Sequence, residues 1–440
     1  MKSPGLLIAT IVLAALGGTL YWSNHRKPED SSAKAATDAT PKILAVNQAD
    51  MKRVEIKKKS GEEVTLEKND AGKWQITKPK SLPADQNTVS NMLASLSALN
   101  AERLIEDKAS NLEQYGLTHP ALQVDITEKD AKKHELLFGD DTPAGSATFT
   151  AVNGDPRVFT VASYNKNGFD KSADDLRDKR LMTFDTDKVS RVELTAKKQT
   201  IEFGRNKEEW QIVKPGPYRA EGFQVDGLVR NLGDAKMESS GIEDEKKAAA
   251  AFVSGSPIAT AKVTDVSGTQ ELQVRKNKDD YYAKSSVVEG VYKVSSALGT
   301  ELDKSVDNFR NKKLFDFGFA DPEKIDIHDG AKSYSLSRSG EDWSSNGAKM
   351  DAGSVRELVA KIRDLSANKF VENGFTAAAL DIAVTSNDGK RVEKVLLAKN
   401  GDRTIAKREN EPLLYELSGS TVEDLRKAAA EIKPSAPIKK

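Results

Sequence analysis

Residues 74–79 read WQITKP and residues 210–215 read WQIVKP, and this repeated hexapeptide decides how the rest of the chain is interpreted. The tryptophans that open the two copies, Trp74 and Trp210, are 136 residues apart, and Trp343 follows 133 residues later. Self-similarity at a nearly constant period is the signature of a repeated structural unit. We therefore interpret the chain as three copies of one module.

An amphipathic helix is predicted after each tryptophan. Apolar residues recur at offsets 0, 3, 4, 7 and 10 from a leading valine in every copy, which places an apolar stripe on one helix face. An acidic residue stands four positions before each valine, where it would cap the helix or lie at the positive end of its dipole. The valines are Val89, Val225 and Val355, and the acids are Asp85, Glu221 and Asp351.

A charged motif closes the first two copies. Residues 170–181 and 303–314 both begin with Asp-Lys-Ser and continue into a basic stretch that contains Arg177 in one copy and Arg310 in the other. The third copy keeps a shorter version around Arg426 and then stops. The motif forms either a salt-bridged cap within a module or a contact between modules, and the sequence leaves both open.

The fold predicted for the body is α+β, with three tandem repeated modules that contain antiparallel sheets. Segments in which apolar and charged residues alternate predict half-buried strands, and Asn-Gly pairs predict hairpin turns between them. A unit of about 133 residues is long enough to bury its own core. The predicted limits are 46–184, 185–317 and 318–433 (shortened) for the modules and 434–440 for a C-terminal tail.

A single transmembrane anchor is predicted near the amino terminus, after a flank of residues 1–4. Residues 5–22 contain no charge and would rise about 27 Å as a helix, close to the ~30 Å hydrocarbon core of a bilayer. The alternative is a cleaved signal peptide, although no Ala-x-Ala-like site follows the apolar run. Residues 23–45 are polar and without periodicity, which predicts a flexible linker. Positive charges flank the apolar segment on both sides and leave its orientation open.

The composition excludes several classes of protein and site. Lys plus Arg and Asp plus Glu each number 67, whereas a dedicated nucleic-acid binder carries a basic excess, so no nucleic-acid partner is expected. The chain has no cysteine, which excludes disulfides and Cys-type zinc sites.

No catalytic, cofactor-binding or metal-binding motif is found. The chain has no nucleophile elbow, Walker loop or dinucleotide fingerprint, and its histidines show no zinc-ligand spacing. Adjacent acids could serve a glycosidase but are more typical of a solvated surface. The repeated tryptophans could stack on sugars, but their alternation with Gln and Ile favours core packing. The histidines are His25, His119, His134 and His328, and the acid pairs are Asp140-Asp141, Asp174-Asp175 and Asp279-Asp280.

These motifs together resemble the bacterial family called domain of unknown function 4340 (DUF4340). The resemblance is clearest over residues 46–184, repeats in 189–317 and fades in 320–432, where Trp343 lacks the Lys-Pro pair. The segments that carry it are Val54–Ile56, Trp74–Pro79, Ala84–Val89 and Asp175–Leu181.

The resemblance implies an envelope protein anchored by one segment in the cytoplasmic (inner) membrane, with its body on the periplasmic side and an ABC-type export system as its associate. It assigns no catalytic residue. We therefore expect a non-enzymatic scaffold or interaction protein without cofactors. The alternative is a glycan-binding module with aromatic residues in a groove between modules. A third hypothesis, a hydrolase, requires acids or histidines clustered in a deep pocket.

Overall fold

The computed structural model describes residues 42–207, 209–238 and 242–436. These residues form three antiparallel sheets of nine, eight and nine strands with a few helices. One compact unit ends at Asp178 and contains the first sheet, and a second begins at Lys179 and contains the other two. The anchor predicted over 5–22, its flank 1–4 and the linker up to residue 41 lie outside the described residues. Within the described ranges, no helix combines the length and the apolar character needed to cross a membrane.

The first sheet combines the strands that precede and those that follow the amphipathic packing helix in the chain. Its strands are β1 (Met51–Lys58), β2 (Glu63–Lys68), β3 (Trp74–Lys78), β4 (Leu82–Pro83), β5 (Arg103–Glu106), β6 (Leu122–Glu128), β7 (Lys133–Asp141), β8 (Ala147–Val152) and β9 (Val158–Ala162). Their order is β4-β3-β2-β1-β6-β7-β8-β9-β5. The helices are α1 (Gln86–Ser97), α2 (Ser163–Phe169) and α3 (Ala173–Leu176).

The second sheet repeats this order without the last edge strand. Its strands are β10 (Arg191–Ala196), β11 (Gln199–Asn206), β12 (Glu209–Lys214), β13 (Tyr218–Arg219), β14 (Ser256–Asp265), β15 (Gly268–Asn277), β16 (Asp280–Ser285) and β17 (Val291–Val294). Its helices are α4 (Gly222–Gly233), α5 (Ile242–Ser254) and α6 (Ser296–Leu302), and α5 packs against β15, β16 and β17.

The third sheet restores the nine-strand order of the first. Its strands are β18 (Lys324–Asp329), β19 (Lys332–Ser339), β20 (Asp342–Ser345), β21 (Ala348–Lys349), β22 (Lys369–Val371), β23 (Leu380–Ser386), β24 (Arg391–Asn400), β25 (Arg403–Arg408) and β26 (Leu414–Ser418). Its helices are α7 (Ala352–Arg363) and α8 (Gly419–Ala430).

The predicted amphipathic helices are confirmed as α1, α4 and α7, and each buries its apolar stripe in the core of its own sheet. Trp74, Trp210 and Trp343 lie in the same three cores and are only 7, 6 and 5% exposed. A fully buried large apolar side chain contributes about 1.5–3 kcal/mol, so each indole and each helical stripe stabilises its own copy. The Lys-Pro bonds that follow Trp74 and Trp210 are both cis.

Two of the three acids cap their helices. The carboxylates of Asp85 and Asp351 accept hydrogen bonds from the N–H groups of Thr88 and Ser354, each at 2.8 Å. Glu221 occupies the same N-cap position, but its side chain makes no capping bond. Glutamate is not among the preferred N-cap residues, whereas aspartate is.

The repeated charged motif is the connector between successive copies. In the first copy Asp85 N–H donates to Leu176 O and Asp178 N–H donates to Pro83 O, which closes the first sheet. The next residues already belong to the second sheet, because Leu181 N–H donates to Ala235 O beyond α4. The second connector repeats this pairing, with Glu221 N–H on Phe309 O and Leu314 N–H on Leu365 O.

The connectors also show where each core begins, although the predicted module limits stay predictions. Ile43 and Leu44 pack in the first core, Leu181 and Phe184 in the second, and Leu314 and Phe317 in the third. Each core therefore begins a few residues before the limit predicted for its module.

An ion pair ties the end of the first strand in each copy to the closing helical segment. The pairs are Lys58–Asp170 at 3.1 Å, Lys197–Asp303 at 3.9 Å and Asp329–Arg426 at 3.1 Å. The third copy places the acid and the base on opposite sides, so the attraction is kept while the residue types are exchanged.

We expect Trp74→Ala and Trp210→Ala each to lower the free energy of unfolding of its unit by roughly 3–5 kcal/mol, because each change leaves a cavity in a packed core. Urea unfolding followed by circular dichroism measures the loss. Gln75→Ala and Gln211→Ala are matched controls, since both glutamines are exposed neighbours on the same strands. An unchanged unfolding midpoint in the tryptophan variants would contradict the core assignment.

Candidate functional site

The eight residues that mark the repeats, namely the three tryptophans, the three acids before the helices, and Arg177 and Arg310, do not come together in one site. The three tryptophans lie in three separate cores, and Asp85, Glu221 and Asp351 stand at the starts of three helices. Arg177 and Arg310 lie on the connectors, where their backbones pair with Ala84 and Ala220. Three of these eight residues, Trp210, Glu221 and Arg310, lie at the junction where the second connector passes from the second sheet to the third.

Arg310 resolves, for the second copy, the two alternatives left open by the sequence. Its guanidinium donates a hydrogen bond to the Asp307 carboxylate at 2.7 Å and so forms an ion pair within the copy. Its Cζ also lies 4.2 Å from the ring centroid of Tyr218 in the second sheet and 5.2 Å from that of Phe370 in the third. A cation over an aromatic face is attracted by about 0.5–2 kcal/mol, so the motif serves both as a cap and as a contact between copies.

Arg219, at the end of β13, makes the main polar contact across this junction. Its Nε donates to Glu411 Oε1 at 2.9 Å, and its Nη2 donates to Lys313 O and to the Tyr415 hydroxyl. Tyr415 in turn donates to Glu411 Oε2 at 2.7 Å. Both oxygens of one carboxylate in the third sheet are therefore satisfied by partners from the two sheets.

A buried layer of alternating charges continues behind Glu411. Arg408 donates to Glu411 at 2.7 Å, to Glu393 at 3.0 Å and to Leu314 O. Glu393 also accepts from the Asp316 N–H at 3.1 Å. Glu393 and Arg408 are 5 and 8% exposed, and burying ions at this depth is tolerated only when each is paired.

The burial and pairing of this layer shift two pKa values. Burial, the largest single influence, lowers the pKa of Arg219, but Glu411, Tyr415 and Asp316 together outweigh it, so the pKa is raised and the guanidinium stays charged. Burial, together with the neighbouring Glu411, raises the pKa of Tyr415 to about 12. The phenol therefore stays protonated and keeps donating its hydrogen bond.

In the second sheet, the positions that correspond to Glu393 and Arg408 carry neutral side chains, and these bind the first connector. Gln270 and Ser285 occupy the register positions of Glu393 and Arg408, and they bind Thr183 N–H and Leu181 O. Pro83 occupies the position of Arg219 in the first copy. An alignment of the repeats would mark Arg219 as a difference, but its partner Glu411 lies 192 residues away and carries no motif.

A cleft of about 500 Å³ opens beside the junction. Arg219, Lys313 and Arg391 line its basic side, where Asp316 lies 3.8 Å from Arg219 and 3.6 Å from Arg391. Three further carboxylates line the cleft, those of Glu209, Glu221 and Asp226, and Asp226 accepts the indole N–H of Trp210 at 2.8 Å. Phe223 also lines the cleft and is 80% exposed.

Two of the histidines and members of two acid pairs make local contacts, and His25 lies outside the described residues. His134 contacts Glu128 at 2.7 Å and His328 contacts Ser333 at 3.0 Å. Asp141 accepts from Thr148, and Asp280 pairs with Lys293. Within the described part of the chain, no group of three or more acids or histidines is arranged to hold a metal ion.

We expect Arg219→Ala to lower the free energy of unfolding of the second unit by about 2 kcal/mol, because the half-buried Glu411 carboxylate would lose one charged hydrogen-bond donor while it keeps Arg408 and Tyr415. Urea unfolding measures the change. Arg356→Ala on the exposed face of α7 is the matched control and should stay within about 0.5 kcal/mol of the parent. Equal effects of the two substitutions would show that the junction does not depend on this ion pair.

We also expect a late component in the ultraviolet titration of the tyrosines. The folded-state pKa of Tyr415 lies above its ordinary value of 10.0, so its stabilising effect is complete below pH 10.0 and is lost as the pH rises through about 12. Tyr415→Phe should remove this late component, whereas Tyr164→Phe should leave it in place. Loss of an early component in Tyr415→Phe would contradict the assignment.

Comparison of the chain with known proteins identifies its family. No curated protein matches the chain significantly. The crystal structure of a DnaN sliding clamp (DNA polymerase III subunit beta) from Pseudomonas aeruginosa bound to griselimycin aligns over 86% of this chain and 93% of its own, at 6% identity and a TM-score of 0.12. The family described as "Domain of unknown function (DUF4340)" matches residues 74–211 and 210–383. Both matches begin at a repeat tryptophan, and the chain belongs to the DUF4340 family.

Proposed function

We propose that the protein is a non-enzymatic scaffold, anchored in the cytoplasmic membrane with its body outside the cytoplasm, that docks a protein component of an ABC-type transport or cell-envelope complex. The observation that carries the docking role is the junction of the second and third sheets. Its paired charges hold a preformed cleft, and a preformed surface loses less conformational entropy on association than a flexible one.

The lining of the cleft favours a polypeptide as the partner. Cationic groups gather around Asp316, while Glu209 and Glu221 supply negative charge to the same cleft. A polyanion would be repelled by these carboxylates, whereas a polypeptide can supply complementary charges of both signs. Exposed Phe223 offers the kind of aromatic anchor on which binding energy concentrates at protein interfaces.

The location rests on two supports. Residues 5–22 are apolar and long enough to span a bilayer, and the resemblance to DUF4340 proteins implies an extracytoplasmic body and an export-system partner. Both supports favour a protein body that is tethered to a membrane, as expected for a scaffold that works beside a membrane complex.

The docking proposal is tested by site-specific photo-crosslinking in native membranes. A photoreactive p-benzoylphenylalanine replaces Phe223 in the full chain, and adducts are identified by mass spectrometry. We expect one membrane-complex protein to be captured in high yield. Phe223→Ala should reduce recovery of the same protein from solubilised membranes by roughly 30-fold, the effect of losing an interface residue worth about 2 kcal/mol.

The matched control carries the same photoreactive residue at Val266, which is 81% exposed on a hairpin of the second sheet and does not line the cleft. Capture at Phe223 alone supports the proposal. Equal capture at both positions, or no adduct at either, would refute docking at the cleft.

A further inference from the structure

A second concave surface lies in the first unit, between α1 and α2. This groove has a volume of about 370 Å³ and is formed by Thr88, Asn91 and Ser95 from α1 and by Tyr164 and Asn165 from α2. Its apolar lining is supplied by Met92 and Phe169, both of which belong to the first core. The groove is therefore a polar surface supported by packed apolar side chains.

The helix that forms one wall is unusual for this chain. Residues 86–97 contain no charged side chain, although 30% of the chain is charged. The equivalent helices expose charge in the usual way, since α4 carries Asp226 and Arg230 and α7 carries Arg356, Glu357 and Lys361. A solvent-exposed helix face is normally charged, so a neutral polar face here needs a reason other than solubility.

The polar groups of the groove are available to a ligand. Within the described residues, the Thr88 hydroxyl and the Asn91 and Asn165 carboxamides have no hydrogen-bond partner. Ser95 donates to Asn91 O in its own helix and keeps its acceptor capacity. Hydroxyl and carboxamide groups both donate and accept, which is the capacity needed to bind another set of hydroxyl groups.

An aromatic side chain completes the surface. Tyr164 is 75% exposed, so its ring presents an apolar face to solvent beside these polar groups. Gly168 leaves the middle of the groove open, because a Cβ at this position would meet no atom within 4 Å. Among the described residues of the lining, only Lys171 carries a charge.

We propose that this groove binds a neutral oligosaccharide, with one sugar ring stacked on Tyr164 and its hydroxyl groups hydrogen-bonded to Thr88, Asn91 and Asn165. A sugar has apolar C–H faces and a rim of hydroxyl groups, and it carries no charge, so the chemistry matches the groove on all three counts. From Thr88 to Ser95 the helix rises about 10 Å, which suits a short oligosaccharide better than a single ring. This site is distinct from the junction cleft and goes beyond the proposed docking function.

The test uses the purified full chain in a detergent without a sugar headgroup. Maltotriose, cellotriose and N,N′,N″-triacetylchitotriose are the probes, and the uncharged tripeptide acetyl-Gly-Ser-Gly-amide serves as a competing class, all followed by saturation-transfer NMR. We expect saturation transfer to at least one trisaccharide and none to the tripeptide. Absence of transfer to all three at about 10 mM, ten times a weak Kd of 1 mM, would overturn the proposal.

Two variants locate the site. Tyr164→Ala removes the stacking ring, and Gly168→Gln fills the groove without deleting any contact group; each should weaken binding at least ~10-fold. Asn167→Ala on the same helix is the matched control, because Asn167 is exposed and does not line the groove. Unchanged affinity in both groove variants, or tripeptide binding that Gly168→Gln abolishes, would overturn the saccharide assignment.

Discussion

The three-copy arrangement depends on a backbone hydrogen bond between the start of each packing helix and the segment that closes the same copy. The N–H of the N-cap residue, Asp85, Glu221 or Asp351, donates to a carbonyl of the closing segment, at Leu176, Phe309 and Lys433. An unsatisfied buried backbone group would cost free energy comparable to a lost hydrogen bond, so the closing segment must return to the helix in every copy. The chain that leaves this pairing enters the next sheet without a spacer, so the charged connector is both the end of one copy and the start of the next.

The second connector shows how the same backbone arrangement can be made into a fixed junction. Where the second sheet binds its leading segment through the neutral groups of Gln270 and Ser285, the third uses Glu393 and Arg408. These ions would be costly alone, but Arg219 and Glu411 complete a chain of alternating charges in which each member is paired with an opposite charge. The junction cleft opens beside this chain of charges, within the compact unit that contains both sheets.

The two surfaces proposed for binding differ in the chemistry that they offer. The junction cleft presents charges of both signs around an exposed phenylalanine, which suits a polypeptide. The groove of the first unit presents neutral amides and hydroxyls around an exposed tyrosine, which suits a neutral polyhydroxyl ligand. The two surfaces use different copies of the packing helix, because α1 and α4 both keep an apolar stripe but differ in the charge of their solvent-facing residues.

The sequence alone determined the repetition, the antiparallel α+β character, the three packing helices and the family, because hydrophobic periodicity and turn residues are local signals. Family membership and the antiparallel sheets are confirmed, while the anchor, location and scaffold function stay proposals. Only the tertiary structure shows that Arg219 contacts Glu411 and that α2 lies beside the neutral face of α1. It also shows that the Asp329–Arg426 pair takes the place of Lys58–Asp170 with acid and base exchanged. Such contacts join residues far apart in the chain, and their energy depends on burial and geometry, which no local pattern of residues encodes.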